Sequence, residues 1–305
     1  MTKKIPLAVV ILAAGQGTRM RSALPKVMHK IAGRPMIDWV VETAESLQPE
    51  KIIIVTSPQS GVVAHATMPV DYVVQQKQNG TGDAVKPAAE KLKDFDGNVL
   101  ILMGDEPFVD VSVLEAMIAY DGLSVMAIEQ PDPTGLGRVV VNDEGSLKEI
   151  IEEKDCDEDQ RQITLCNAGN YCLPSAHLEK WLNALDNNNA QQEYYLTDLP
   201  EIAAQEGFQT TVIAGEAICG WGINTRLELA EHEYVAQSIL RQQAMEGGVT
   251  MIDPATVFLS WDTTFGQDVV IEPNVVIGPW TSIEDNVTIH AFSHIEGAII
   301  HGGVE

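Results

Sequence analysis

The chain predicts a three-layer α/β domain, then a connecting helix, then a short left-handed parallel β-helix. Three observations carry this. Strand-like apolar runs alternate with helical periods early in the chain, a long proline-free stretch follows, and the remainder repeats at every sixth position. The expected limits are 1–226, 227–248 and 249–305.

Residues 7–12, 51–56, 70–75 and 99–103 are apolar runs rich in Val, Ile and Leu, which suits buried strands. After Gly33, residues Trp39, Val40, Val41, Ala44 and Leu47 keep a helical period between the first two runs. Strands alternating with helices imply βαβ units and a parallel sheet covered on both faces. Ligands of such sheets bind beyond the carboxyl ends of the strands. Gly15 and Asp105 each follow a strand and are expected to face one another there.

From Leu227 the sequence LELAEHEYVAQSILRQQAMEGG carries no proline and closes on Gly247 and Gly248, as a connecting helix would. Beyond it Leu259, Phe265, Ile271, Ile277, Ile283, Ile289 and Ile295 fall six residues apart, with Val269, Val275 and Val287 two positions ahead of three of them. Ordinary β alternation has period 2 and does not single out sixth positions. The hexad repeat predicts a parallel β-helix of about two turns.

With 305 residues, 45% of them hydrophobic, the chain can bury a substantial core. Its formal net charge of −25 opposes nonspecific nucleic-acid binding and docking on anionic lipid. The few cations must therefore be concentrated wherever an anionic substrate binds. Cys156, Cys166, Cys172 and Cys219 lack metal-binding spacing and read as reduced thiols. Residues 1–6 are too short for a signal peptide, and no apolar run is long enough to span a membrane. A cytoplasmic protein is expected.

The chemistry is concentrated in VVILAAGQGTRMRSALPKVMHKIAGRPMI, residues 9–37. A strand ending in a glycine loop exposes backbone N–H groups to phosphate oxygens, and Arg19 and Lys26 follow to neutralise them. The loop lacks the third glycine of a dinucleotide fingerprint and the G-K-S/T of a P-loop. LAAGQGTRM with Pro25-Lys26 and Ile31-Ala32-Gly33-Arg34-Pro35 instead resembles the N-terminal signature of the sugar-nucleotide pyrophosphorylases.

Residues 5 to about 295 resemble, more narrowly, the bacterial N-acetylglucosamine-1-phosphate uridylyltransferase family. The resemblance implies a Rossmann-like nucleotidyltransferase domain that joins UTP to N-acetylglucosamine 1-phosphate and releases pyrophosphate. It places Leu12, Ala13, Ala14, Gly15 and Gly104 at the nucleotide, with Gln75, Gly80 and Thr81 reading uracil and Gln76 a rival for Gln75. Arg19 and Lys26 are the implied catalytic cations. Asp105, in Met103-Gly104-Asp105-Glu106-Pro107, and Asn224, in Gly222-Ile223-Asn224-Thr225-Arg226, are the implied Mg²⁺ ligands. Gly137, Glu152, Asn167, Tyr195 and Thr197 are implied at the sugar.

Plainer structural roles stand beside these: a helix start at Thr81, a turn at Gly104-Asp105, and a cap with proline at Thr197-Asp198-Leu199-Pro200. Ala168, Cys219 and Trp221 depart from the family pattern. The resemblance also implies a homotrimer through the β-helix. The repeat tract reaches only Glu305, and His290, His294 and His301 within it read as solvated, so no acetyltransferase activity is expected. The alternatives are a pyrophosphorylase for another sugar 1-phosphate or nucleotide, a noncatalytic nucleotide-sensing or scaffolding subunit, and a hexapeptide acyltransferase.

Overall fold

The computed structural model describes residues 5–58, 60–142 and 146–305. The chain divides into two units, Met1–Met28 with Met36–Gly222 and His29–Pro35 with Ile223–Glu305.

The first unit is built on β1 (Leu7–Leu12), whose six residues are all buried. The hairpin β2 (Lys30–Ile31) and β3 (Arg34–Pro35) belongs to the second unit. The first unit continues with α1 (Met36–Ser46), β4 (Lys51–Thr56), β5 (Val70–Val74), α2 (Thr81–Lys91), β6 (Asn98–Met103) and α3 (Val111–Ala119). Then come β7 (Leu123–Glu129), β8 (Arg138–Val141), β9 (Leu147–Ile151), β10 (Leu165–Pro174), α4 (Ser175–Ala184), α5 (Leu199–Gln205) and β11 (Thr210–Gly215).

The sheet order is β11-β7-β10-β6-β1-β4-β5, with the hairpin β8-β9 attached to β10. Side chains on β1 alternate between two cores. Ala8, Val10 and Leu12 pack with residues of α2, α4 and α5, whereas Leu7, Val9 and Ile11 pack with residues of α1 and α3. Three layers result, and each large aliphatic side chain fully buried contributes about 1.5–3 kcal/mol.

The expectation of a parallel sheet is corrected in one place. β1, β4, β5 and β6 run parallel, but β10 is antiparallel to both β6 and β7. Among the described residues no α-helix lies between β7 and β10. The chain instead passes through the β8-β9 hairpin and then residues 152–164, which carry the turn Gln160–Gln162, and so returns in the opposite direction. The glycine loop, Ser57, Gln75 and Asp105 follow the four parallel strands and therefore share one edge of the sheet.

In the second unit α6 (Arg226–Glu246) opens on a capping box: Thr225 accepts from the Glu228 backbone and Glu228 answers at the cap backbone. Nine two-residue strands follow: β12 (Thr250–Met251), β13 (Phe258–Leu259), β14 (Thr264–Phe265), β15 (Val270–Ile271), β16 (Val276–Ile277), β17 (Ser282–Ile283), β18 (Thr288–Ile289), β19 (His294–Ile295) and β20 (Ile299–Ile300). They stack as three parallel sheets, β12-β15-β18, β13-β16-β19 and β14-β17-β20. This is the repeated parallel pairing of a short left-handed β-helix. Left-handed backbone recurs at its corners, at Asp268, Asn274, Trp280, Asn286 and Phe292.

Each sheet has three strands, so the stack has three coils rather than about two. The hexad series from Leu259 to Ile295 leaves out β12 and β20: the turn Pro254–Thr256 puts Met251 twenty positions before its partner Ile271, and Ile300 follows its partner Ile283 by seventeen. The helix expected as a separate linker packs within this unit. Gln237, buried on α6, donates to the Leu259 carbonyl (2.7 Å) and accepts from the Leu259 N–H (2.8 Å), closing the free edge of β13.

Candidate active site

A cavity of about 340 Å³ lies at the shared strand edge of the first unit, lined by Leu12, Ala13, Ala14, Gly15, Gln16, Lys26, Gln75, Gly80, Thr81 and Asp105 among others. Its two loop glycines serve different ends. A Cβ at Gly15 would meet nothing within 4 Å, which leaves backbone open to a ligand. Gly17 has φ +59°, and a Cβ there would stand 2.7 Å from the Lys26 Cβ, so this glycine lets the lysine close on the loop. The Lys26 ammonium pairs with the Asp105 carboxylate; both side chains are largely buried, at 13% and 18% exposure.

The segment 75–82 is fixed from below. Gln75, 4% exposed, directs its amide nitrogen to the Gly80 carbonyl and to an Asp83 carboxylate oxygen, each at 3.1 Å. Its nitrogen is thus engaged within the protein. The Thr81 hydroxyl accepts from Leu196 N–H (3.1 Å). Gly80, at φ +106°, leaves a Cβ only 2.5 Å from the Tyr194 carbonyl. Tyr194 N–H in turn donates to the Asn79 carbonyl (2.7 Å), and Gly82 N–H donates to the Tyr194 carbonyl (2.8 Å). The segment thus abuts residues 193–196.

Two expected residues stand apart from the cavity lining. Gly104 donates its N–H to the Leu12 carbonyl (2.9 Å), and a Cβ there would stand 2.9 Å from that oxygen; its place is close strand packing. Arg19 is exposed on the turn Thr18–Met20 and lines neither this cavity nor the polar one beside it, which Thr18, Ser22, Ser57 and Ser60 help to form. The sequence assigns no individual role to Gln78 or Glu193, which also line this first cavity. Gln78 also donates to the Ala14 carbonyl, holding the glycine loop. Its signal was its place in Gln75-Gln76-Lys77-Gln78-Asn79-Gly80, where the fourth position had no assigned task.

A second cavity of about 400 Å³ is lined by Glu149, Glu152, Asp155, Asn189, Tyr195, Thr197, Asp198 and neighbours. Glu152 accepts from the Thr197 hydroxyl (3.3 Å), and Tyr195 accepts from the Gln191 amide (2.7 Å). Gly137 completes the group: a Cβ there would contact Asn167 Cβ at 3.6 Å and Glu152 Oε1 at 3.7 Å. All five residues expected at the sugar are therefore neighbours. Asn167 sits at the irregularity in β10, its amide donating to the Tyr171 hydroxyl (3.0 Å) and accepting from Gly169 N–H (3.2 Å). Asp198 holds the N-cap position of α5 with Pro200 in the first turn, as the helix-start reading expects, though its side chain makes no cap bond.

Charge distinguishes the two cavities. Burial, then the charges of Asp155, Asp198 and Glu193, push the Glu152 carboxyl up against the lowering bond from Thr197. Burial likewise lifts Asp198 to about 6, with Asp186, Glu201 and Asp155 adding to it. Such a pocket repels a phosphate and suits hydroxyl and amide groups. Beside Asp105, burial raises the Glu106 carboxyl well above the usual range, and the charge of Asp105 adds to this. Glu106 accepts from the Asn170 amide (2.7 Å), which ties the carboxylate loop to β10. The four cysteines are free and buried, and burial pushes the Cys172 thiol up to about 12.

Among the described residues no group of three or more His, Cys, Asp or Glu could hold a metal. Asp105 and Glu193 are the carboxylates lining the first cavity, and oxygen donors of this kind fit a hard cation that completes its shell with phosphate oxygens and water. Asn224 belongs to the second unit, where its backbone N–H donates to Glu228 (2.6 Å). No helix among the described residues is long and apolar enough to cross a membrane.

Residues 9–192 match the MobA-like NTP transferase domain, and residues 262–297 match the bacterial transferase hexapeptide in six repeats. The bifunctional protein GlmU of Paramagnetospirillum magneticum is 43% identical over 98% of this chain and 68% of its own. Its counterpart in Azorhizobium caulinodans is 44% identical over 98% of this chain and 68% of its own. In Zymomonas mobilis the figures are 40%, 100% and 70%.

Proposed function

The chain belongs to the GlmU family, and on that premise we propose how its residues perform uridylyl transfer. The reaction converts UTP and N-acetylglucosamine 1-phosphate to UDP-N-acetylglucosamine and pyrophosphate, and it depends on a divalent metal. Mg²⁺ is the proposed ion. It would be held by Asp105, with Asn224 added by the family resemblance, and would neutralise phosphate charge when bound.

A phosphate oxygen of the sugar substrate attacks the α-phosphorus of UTP, and the bond to the bridging oxygen of pyrophosphate breaks. The nucleophile is already ionised at neutral pH, so the site needs no general base. Its tasks are to bring two anions into line and to offset their charge. Backbone N–H groups of the loop at Gly15 receive phosphate. Lys26 leaves Asp105 to neutralise the α-phosphate as negative charge builds in the transition state. Arg19, at the exposed turn, draws on the outer phosphates. Glu152, Asn167, Tyr195, Thr197 and the Gly137 turn hold the sugar.

The observation that carries this reading is the Lys26–Asp105 pair inside a cavity walled by the open backbone of the glycine loop. Pyrophosphate release by Asp105→Ala tests it, and activity is expected to fall to near background. Full activity in that variant would remove the metal assignment. Assembly as a homotrimer through the β-helix is proposed as well, with light scattering expected to give three times the chain mass.

A further inference from the structure

Gln75 lines the nucleotide cavity, yet its side chain is nearly sealed, at 4% exposure. An amide side chain has two N–H donors on nitrogen and acceptor lone pairs on oxygen. Here both neighbours that fix it are pure acceptors, the Gly80 carbonyl and the Asp83 carboxylate, each 3.1 Å from Nε2. Exchanging nitrogen and oxygen would place a lone pair against each of them, so the orientation is determined by the network. With both donors directed inward, Oε1 is what the amide has left for a ligand.

We infer that Asp83 is a positioning residue for nucleobase choice: it locks Gln75 so that the cavity presents an acceptor to a pyrimidine N3–H. The inference rests on the reading of the site as a UTP site. Uracil carries a hydrogen on N3, and cytosine has a bare lone pair there, which would face Oε1 and leave two acceptors opposed. Thymine keeps the N3 hydrogen, so this contact does not separate UTP from dTTP. Asp83 acts only through Gln75. It stands in the first turn of α2, where a carboxylate also favours the helix N-terminus.

That second role makes some loss of stability in Asp83→Ala unsurprising and sets the readout: the ratio of kcat/KM for UTP over CTP. With Gly80 alone holding the amide, Gln75 can turn and offer nitrogen to cytosine, so the ratio is expected to fall about tenfold, mostly through KM. The ratio of UTP to dTTP should stay constant. Asp83→Asn keeps an acceptor oxygen and is expected to restore parental selectivity. Asp83→Leu, similar in shape without an acceptor, gives the same relaxation and serves if the alanine variant folds poorly. An unchanged UTP to CTP ratio in the alanine or leucine variant overturns the inference, as does a parallel shift in the dTTP ratio. A parent enzyme that prefers CTP would overturn the UTP reading itself.

Discussion

At the scale of single residues, the first cavity holds Lys26 against Asp105, while the second gathers Glu149, Glu152, Asp155 and Asp198. Lys26 is paired with Asp105 before substrate arrives, so its charge is held in the cavity. Lys26→Ala is expected to lower kcat by about 10²–10³ with a smaller effect on the KM for UTP, as for loss of a group that acts in the transition state. Steady-state kinetics with UTP as the varied substrate checks it, and a change confined to KM would contradict it. Asp198, lifted to about 6, gives a pH signature. Its folded pKa exceeds the unfolded value, so its contribution to stability is full below the unfolded pKa and is lost as pH rises through the folded one. Asp198→Asn should therefore raise Tm relative to the parent at about pH 7.5 and lose that advantage near about pH 4. Thermal melts at the two pH values measure the difference.

At the scale of elements, strands β1, β4 and β6 were legible because continuous aliphatic runs leave little alternative, and α6 because a proline-free stretch closed on glycines. The antiparallel insertion of β10 was not legible. Its first five residues alternate intermediate and buried and the next four are all buried, so its period resembles neither a simple edge nor a core strand. The role of Gln237 was hidden for another reason: a glutamine in a polar helix gives no sign that it will bond a strand edge distant in sequence. Gln237→Leu should leave the Leu259 N–H and carbonyl without those bonds and cost about 1–3 kcal/mol. Urea unfolding followed by far-UV circular dichroism checks it, and an unchanged midpoint would show the edge to be satisfied otherwise.

At the scale of the whole chain, a formal charge of −25 makes the placement of cations the main electrostatic constraint on binding UTP. Gly15 and Asp105 could be placed together from sequence because each follows a strand of the same parallel set, whereas Lys26 was read with the glycine loop it follows and Gln75 joined them only through the family resemblance. Their mutual arrangement could not: Gly17 admitting Lys26, and Asp83 fixing Gln75, are matters of a few ångströms that spacing does not encode. Removing divalent metal by chelation should abolish turnover while leaving Tm within a degree or so, since Asp105 already has Lys26 as a counter-ion. Calorimetry with and without chelator tests that independence. The most direct measurement of the central claim is pyrophosphate release from UTP and Mg²⁺ across a panel of sugar 1-phosphates. Turnover with N-acetylglucosamine 1-phosphate, far above the other sugars, is the expected result; turnover with another sugar and none with this one would contradict it.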